Sequence, residues 1–310
     1  MNEMNRMEVP DWFRNEMSVG LVHQVQQTDS DLEPFMTRMN GAAGKAFSWD
    51  LIDPVEAHEE THNRLGQTIA EEVTGMRRWV YPNLVRKAVL KDINDDVFLG
   101  RQSLSLADIQ LEIKYAFARK KDDIIIRNAY GVNRAGENGE IPVVLLDSQT
   151  LAVDYASSGS RTESALTLDK LTTVREIFEE NRVINANLTS QGEKVIGLVS
   201  PNQKKQLLDM QGLTNSQLAE VKSLNEGSTP MALGIHWVVT PNVPRDAAGN
   251  DQCLFYVQSG LAFVPWGDIQ ATVDRRLDMN YATQIWTQQS FGVARTDEKK
   301  FVLVMAKRNR

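Results

Sequence analysis

Residues 105–131 read SLADIQLEIKYAFARKKDDIIIRNAYG, the clearest helical signal in the chain. Ser105 stands three residues before Asp108, the spacing of a capping box. Leu106, Ile109, Ile113, Ala116, Phe117 and Ile124 keep helical spacing, and Gly131 is placed to close the end. A helix over 105–130 is roughly 38 Å long at 1.5 Å per residue. The mean globular helix has only about 11–12 residues. A helix of this length serves as a scaffold for other elements.

Toward the C-terminus the pattern alternates between short helices and strands. Leu168, Leu171, Val174 and Phe178 predict a second helix over about 168–182. Val195–Val199 reads as a short buried strand. Ser200, Pro201 and Gln203 then supply an N-cap, a proline at the first helical position and a capping-box partner. Thr214 and Gln217 repeat the signal for a further helix ending near Gly227. Ile235–Val239, Cys253–Val257 and Leu261–Val264 are strand-like, and 268–306 reads as mostly extended. In the final strand Phe301, Leu303 and Met305 share one face, with Val302 and Val304 on the other. Within 132–164 the strand-like Ile141–Leu146 is flanked by two turn signals, Gly136-Glu-Asn-Gly139 and Ser157-Ser-Gly-Ser160, which predicts an insertion or hairpin. A long helix first and antiparallel-type strands later give an α+β class.

Toward the N-terminus, Phe13, Met17, Leu21 and Val25 recur every four residues and predict a short amphipathic helix. Trp79–Leu90 reads as extended, and Pro82 demotes it to an edge strand. It is expected as one arm of a long excursion. For 54–74, Asp53-Pro54-Val55-Glu56 allows a helix start, so that stretch stays open between helix and hairpin.

The 310 residues carry a formal net charge of −7. Residues 1–72 hold 14 acids and 5 bases, and the remainder 27 acids and 29 bases. The acidity therefore belongs to the first quarter. No clustered basic face of the kind that binds nucleic acid is apparent. No apolar run reaches the length of a membrane span. The opening MNEMNRMEVPDWF lacks the basic start and apolar core of a secretory signal. Cys253 is the single cysteine, so no intramolecular disulfide framework is available.

The sharpest chemical motif is His58-Glu59-Glu60-Thr61-His62, which fits H-E-x-x-H. A catalytic zinc needs a third protein ligand. Only His23 and His236 remain, neither at a recognised spacing. Leu65 stands where a metzincin glycine belongs, Gly66 is one step late, and Thr68 replaces the third histidine. A zinc metallopeptidase on His58, Glu59 and His62 is the alternative reading. Gly41–Gly44 followed by Lys45 and Ala46 lacks the first glycine and the Ser/Thr of a phosphate loop. Ser157–Ser160 is not a nucleophile elbow. Cys253 lies in an apolar run and reads as a buried hydrophobe. No catalytic, cofactor-binding or metal-ligating residue is therefore assigned, and no cofactor or enzymatic activity is expected.

The order of pieces along nearly the whole chain resembles a tailed-bacteriophage major capsid protein of the Hong-Kong-97-type fold. The resemblance is carried by Val22–Gln27 with Asp29–Leu32, and by Arg119-x-x-Asp122-x-x-Ile125-x-x-x-Ala129-x-Gly131. It continues through Lys194–Pro201 with Gln206–Leu208, Gly260–Val264, Gly292–Arg295 and Val302–Val304. It implies an N-terminal arm over 1–45 and an extended loop over 46–98. It also implies a peripheral domain from 99–182 and 266–310, with spine helix 105–130 and insertion 132–164, and an axial domain over 183–265. The implied function is structural: self-assembly through hexamers and pentamers into an icosahedral head around phage DNA. Copies of the chain would be the principal partners, with scaffolding, portal and decoration proteins besides. Packaged double-stranded DNA would be enclosed without sequence-specific binding, and no membrane is involved. Assembly would take place in the host cytoplasm and the product would be the virion. The acidic first quarter would seat on neighbours, with Lys114, Arg119, Lys120, Lys121 and Arg127 as candidate receivers. A non-shell phage adaptor of similar build, closing into a small ring, is a further possibility.

Overall fold

The computed structural model describes residues 26–57, 72–92, 94, 105–157, 159, 162–184, 193–207, 215–227 and 230–308. The expected helix through Phe13–Val25 and the His58–His62 motif lie outside the described residues, as does Thr214. In chain order the strands are β1 (Thr37–Arg38), β2 (Phe47–Ile52), β3 (Gly75–Val80), β4 (Asn83–Lys91), β5 (Asn133–Ala135), β6 (Ile141–Val143) and β7 (Thr150–Leu151). They continue with β8 (Val195–Val199), β9 (Met231–Ala232), β10 (Ile235–Val239), β11 (Asp251–Val257), β12 (Leu261–Pro265), β13 (Gln270–Arg276), β14 (Ala282–Arg295) and β15 (Phe301–Ala306). The helices are α1 (Leu106–Tyr130), α2 (Leu168–Glu180), α3 (Pro201–Gln206) and α4 (Asn215–Glu226).

Helix α1 starts as its sequence dictates. The Ser105 side chain accepts from the Asp108 N–H, and the Asp108 side chain accepts from the Ser105 N–H. At its end Gly131 donates to the Arg127 carbonyl, with φ −77°. Its backbone is extended rather than left-handed. Glycine is needed there because a Cβ would lie 2.7 Å from the Arg127 oxygen.

The central layer is a six-stranded sheet in the order β7-β15-β11-β8-β10-β9. One face carries Val199, Trp237, Cys253, Phe255, Val257, Val302 and Val304 against Leu171, Val174 and Phe178 of α2 and Val221 and Leu224 of α4. The other face carries Ile196, Leu198, Leu254, Tyr256 and Phe301 against Ile124, Ile125, Ile126 and Ala129 of α1 and Leu32 and Met36 of the arm. Burial on both faces explains why these strands are near-continuous apolar runs. Strand β15 pairs antiparallel with β11, Phe301 opposite Tyr256 and Ala306 opposite Asp251. The expectation grouped 266–310 with the long helix. Pairing instead joins Phe301–Ala306 to the sheet of β8, β10 and β11, because both faces of β15 need cover and the centre of this sheet provides it.

A second sheet is organised by the long strand β14. Strands β12 and β13 run in succession along one edge, Pro265 opposite Phe291 and Gln270 opposite Gln288. Strand β4 lies along the other edge, Asn83 opposite Phe291 and Lys91 opposite Thr283. Ile109, Ile113 and Phe117 of α1 cover one face of this sheet at Ile285, Val85 and Val89. The extended run Trp79–Leu90 is thus two strands interrupted at Tyr81-Pro82. Strand β4 is an edge strand, as Pro82 indicated, but it belongs to the body, since Val85 and Val89 pack beneath α1. The excursion expected over 46–98 therefore ends before Asn83.

The excursion proper is the β2–β3 hairpin, Phe47 opposite Val80 and Ile52 opposite Gly75. The expected insertion is built into two sheets. Strand β5 pairs with β3 and β6, and β7 pairs in parallel with β15.

Candidate assembly surface

Three features of the surface bear on association: an arm, a hairpin and a second hairpin formed by β13 and β14. The arm is tied to α1 over Gln26–Met36. The buried Asp122 carboxylate accepts from Gln27 Nε2 at 2.5 Å, Ser30 Oγ at 2.5 Å and the Asp31 N–H at 3.0 Å. Burial, and then the Asp122 charge, raise the Asp31 carboxyl above its ordinary value. Lys114 pairs with Asp29 at 2.9 Å and Lys121 with Glu33 at 2.6 Å. Arg119 donates to Gln26. Three of the five expected receivers thus hold arm residues, but of their own chain. Lys120 pairs instead with Asp123, and Arg127 donates to Asn83. A groove of about 730 Å³ runs between the arm, α1 and the β13–β14 edge, with Pro34, Ile113, Phe117 and Ile269 in its walls.

The β2–β3 hairpin projects with apolar side chains in solvent. Ile52 is 71% exposed, and Val55, Val73 and Met76 are exposed beside it. Strand β5 pairs with β3 only at Arg78 and Trp79, so beyond them the ribbon is two-stranded, an arrangement that is marginal in water. At the tip of the β13–β14 hairpin Leu277 is 73% exposed, with Met279 and Tyr281 also open, and Asn280 and Tyr281 both have positive φ. Soluble monomers rarely carry such clustered apolar patches, which mark association surfaces.

The root of the β2–β3 hairpin holds a buried polar site. Val80 packs on Val264 and Ala294, with Phe47, Trp49 and Trp266 around it. Gly292 is required beneath it, since a Cβ there would meet Val80 Cγ2 at 2.7 Å and Tyr81 O at 2.8 Å. Trp79 Nε1 donates to the Gly136 carbonyl at 2.7 Å. Arg78, buried, donates to both carboxylate oxygens of buried Glu298, one at 3.1 Å. Arg295, fully buried, lies 3.7 Å from Glu298 and donates to the carbonyls of Ala129 at 2.8 Å, Gly131 at 2.6 Å and Val143 at 2.8 Å. Two of these carbonyls end α1, where the helix dipole is negative and favours a cation. Burial pushes the Arg295 guanidinium down to about 10, so it remains charged at neutral pH. Sequence reasoning named Arg295 only as the end of the segment Gly292–Arg295 and missed Arg78 and Glu298 altogether. Arg78 and Glu298 are 220 positions apart, and neither sits in a motif.

The remaining candidates do not converge. His236 is partly buried, and burial lowers its imidazole below the ordinary value. Cys253 is fully buried in the core, and burial pushes its thiol up to about 12. Ser200 caps α3 as expected, but Gln203 turns away from the capping box and donates to Asp251 and the Lys307 carbonyl. Among the described residues no group of three or more His, Cys, Asp or Glu could hold a metal ion, and no helix is long and apolar enough to cross a membrane.

The family profile described as phage capsid protein matches residues 9–307. Comparison with curated proteins gives no match. Among solved structures, the capsid of Ralstonia phage GP4 superposes with a TM-score of 0.70 at 13% identity, covering 100% of this chain and 99% of the other. The capsid of cyanophage Pam1 gives 0.68 at 11% identity over 98% and 99% of the two chains. The capsid of cyanophage P-SCSP1u gives 0.67 at 13% identity over 95% and 93%. At these identities the likeness is one of fold.

Proposed function

The chain belongs to the phage capsid protein family, has the Hong-Kong-97-type fold and is a structural major capsid protein of the virion; from that premise we propose how it builds the shell. Copies associate into hexamers and pentamers that close an icosahedral head around the phage DNA, and assembly takes place in the host cytoplasm. Residues 1–45 act as the arm, and the hairpin from 46 to Val80 as the extended loop lying over a neighbouring copy. The peripheral body comprises α1, β4 and β12–β14. The axial body comprises β8–β11 with α3 and α4, and β15 runs through its sheet; α2, grouped by the resemblance with the peripheral 99–182, is reassigned to it because Leu171, Val174 and Phe178 pack on that sheet. Scaffolding, portal and decoration proteins are further partners.

The observation that carries this reading is a pair of exposed apolar clusters, Ile52 with Val55 and Val73 on the β2–β3 hairpin, and Leu277 with Met279 and Tyr281 at the β13–β14 turn. Burying such area drives association, and repeated contacts in a closed shell add avidity even where each is weak. An interior without a strong basic patch leaves packaged DNA free to move. Negative-stain microscopy of the purified or co-expressed chain is the test. Rings, sheets or shells are expected; a uniform monomer under every assembly condition overturns the reading.

A further inference from the structure

We infer that Glu298 is the positioning residue of the β2–β3 hairpin: its carboxylate, shared between Arg78 of the hairpin and Arg295 of the body, fixes the direction in which the hairpin leaves the chain. The functional weight of this inference rests on the shell reading above, in which the hairpin makes contacts between copies.

The site holds two guanidinium groups and one carboxylate, all buried. The two arginines are not equivalent. Arg295 has three carbonyl acceptors of its own, at Ala129, Gly131 and Val143. Both terminal nitrogens of Arg78 are committed to Glu298, and its Nε finds no acceptor among the described residues. Removing the Glu298 charge takes the carboxylate from both arginines, but Arg295 keeps its three carbonyl acceptors while Arg78 keeps none among the described residues. A stranded buried cation is the costly outcome of breaking such a pair. The guanidinium must then reach solvent, and it carries β3 with it.

The other ties at the root are short. Strand β3 pairs with β5 only at Arg78 opposite Ala135 and Trp79 opposite Arg134. The same register position that anchors the ladder thus carries the ion pair. Glu298 itself lies in a one-turn 3-10 helix, Glu298–Lys300, directly between β14 and β15. Its place is fixed by these two well-buried strands of the body. Through Arg295 the carboxylate also senses the C-terminal end of α1. Hairpin direction and helix end are in this way set by one group.

The test is hydrogen exchange on the full-length chain, with particle assembly in parallel. Glu298→Gln is expected to raise exchange of the amides in Gly75–Val80 and Phe47–Ile52 by about tenfold or more. Exchange in Val195–Val199 and Asp251–Val257 should stay as in the wild type. Adding Arg78→Met to Glu298→Gln removes the stranded cation and should restore much of the protection at the root. Under conditions where the wild type assembles, Glu298→Gln should yield fewer or misshapen particles. Unchanged exchange at the root in Glu298→Gln overturns the inference. So does a uniform rise through the whole chain, which would make Glu298 a general stability element, and so does a double variant no better protected than Glu298→Gln. Failure of the wild type to form particles counts against the shell reading instead, since exchange at the root reports on Glu298 whatever the particles do.

Discussion

The six-stranded sheet and the β2–β3 hairpin are made from similar residues but differ in what covers them. In the sheet Val199, Phe255, Val257, Val302 and Val304 are buried, and layers pack on both faces. In the hairpin Ile52, Val55, Val73 and Met76 meet solvent. The sheet satisfies itself within one chain. The hairpin satisfies only its root, where Val80, Trp79 and Arg78 are held. One chain therefore contains a finished body and an unfinished extension, and in the proposed shell the extension is what a neighbouring copy covers. Substitutions in the two regions should separate folding from assembly.

The largest effect is expected in the body. Phe255 is fully buried and meets Trp237 edge-on at a centroid distance of 5.9 Å. Phe255→Ala should cost about 3–5 kcal/mol, read by chemical denaturation, and particle yield should fall with the folded fraction. A cost below about 1 kcal/mol would show that the sheet is not the core on which the rest depends.

The second effect is pH-dependent. Lys170 is fully buried on α2, and its Nζ donates to the carbonyls of Val153 at 2.8 Å, Met305 at 3.0 Å, Ser164 at 3.1 Å and Ala165 at 3.3 Å. Burial lowers its ammonium from 10.5 to about 8. Between those values the unfolded chain binds the proton and the folded chain does not, so this group makes stability rise with pH from about 8 toward 10.5. Below about 8 both forms are charged and the cost of burying the charge is complete. Denaturation midpoints at several pH values should show this rise in the wild type and its loss in Lys170→Met. Identical pH profiles would mean that the carbonyl cage already compensates the buried charge.

These residues also show how far the sequence could be read. Helix α1 was legible because its capping box, Ser105 and Asp108, is local, and so were β8, β10, β11 and β15, whose apolar runs record burial on both faces. Partners distant in the chain left no such trace. That β15 lies beside β11, or that Glu298 receives Arg78, depends on contacts between residues as much as 220 positions apart. Lys170 was hidden for another reason: on the helical pattern of 168–182 a lysine reads as solvated, and only the surrounding carbonyls explain its place inside. The capsid family was legible as a resemblance along the chain, while the exposed apolar residues of the two hairpins, such as Ile52 and Leu277, needed the structure to be seen.

On the hairpin the expected effect on the single chain is small and the effect on assembly is not. Ile52→Ser, alone or with Val73→Ser, should change unfolding free energy by less than about 0.5 kcal/mol, because these side chains bury little in one copy. Particle yield by sedimentation should fall severalfold, since the lost apolar contact is repeated at every copy of the shell. Equal losses of stability and assembly would erase the distinction between body and extension.

The smallest effect lies on the arm, where two ion pairs on one helix divide the comparison again. Lys114 and Asp29 are 60% and 72% exposed, whereas Lys121 and Glu33 are 14% and 32% exposed. Lys121 also sits 5.7 Å from the centre of the Phe263 ring. Water and salt screen the first pair, so a double-mutant cycle on Lys114 and Asp29 should give no measurable coupling. A cycle on Lys121 and Glu33 should give up to about 1 kcal/mol and keep most of it at high salt. The two pairs then hold the arm unequally, although the arm stays on α1 as far as Gln26 through bonds to Asp122 and Arg119. Equal coupling in both cycles would mean that burial does not decide what an ion pair on this helix contributes.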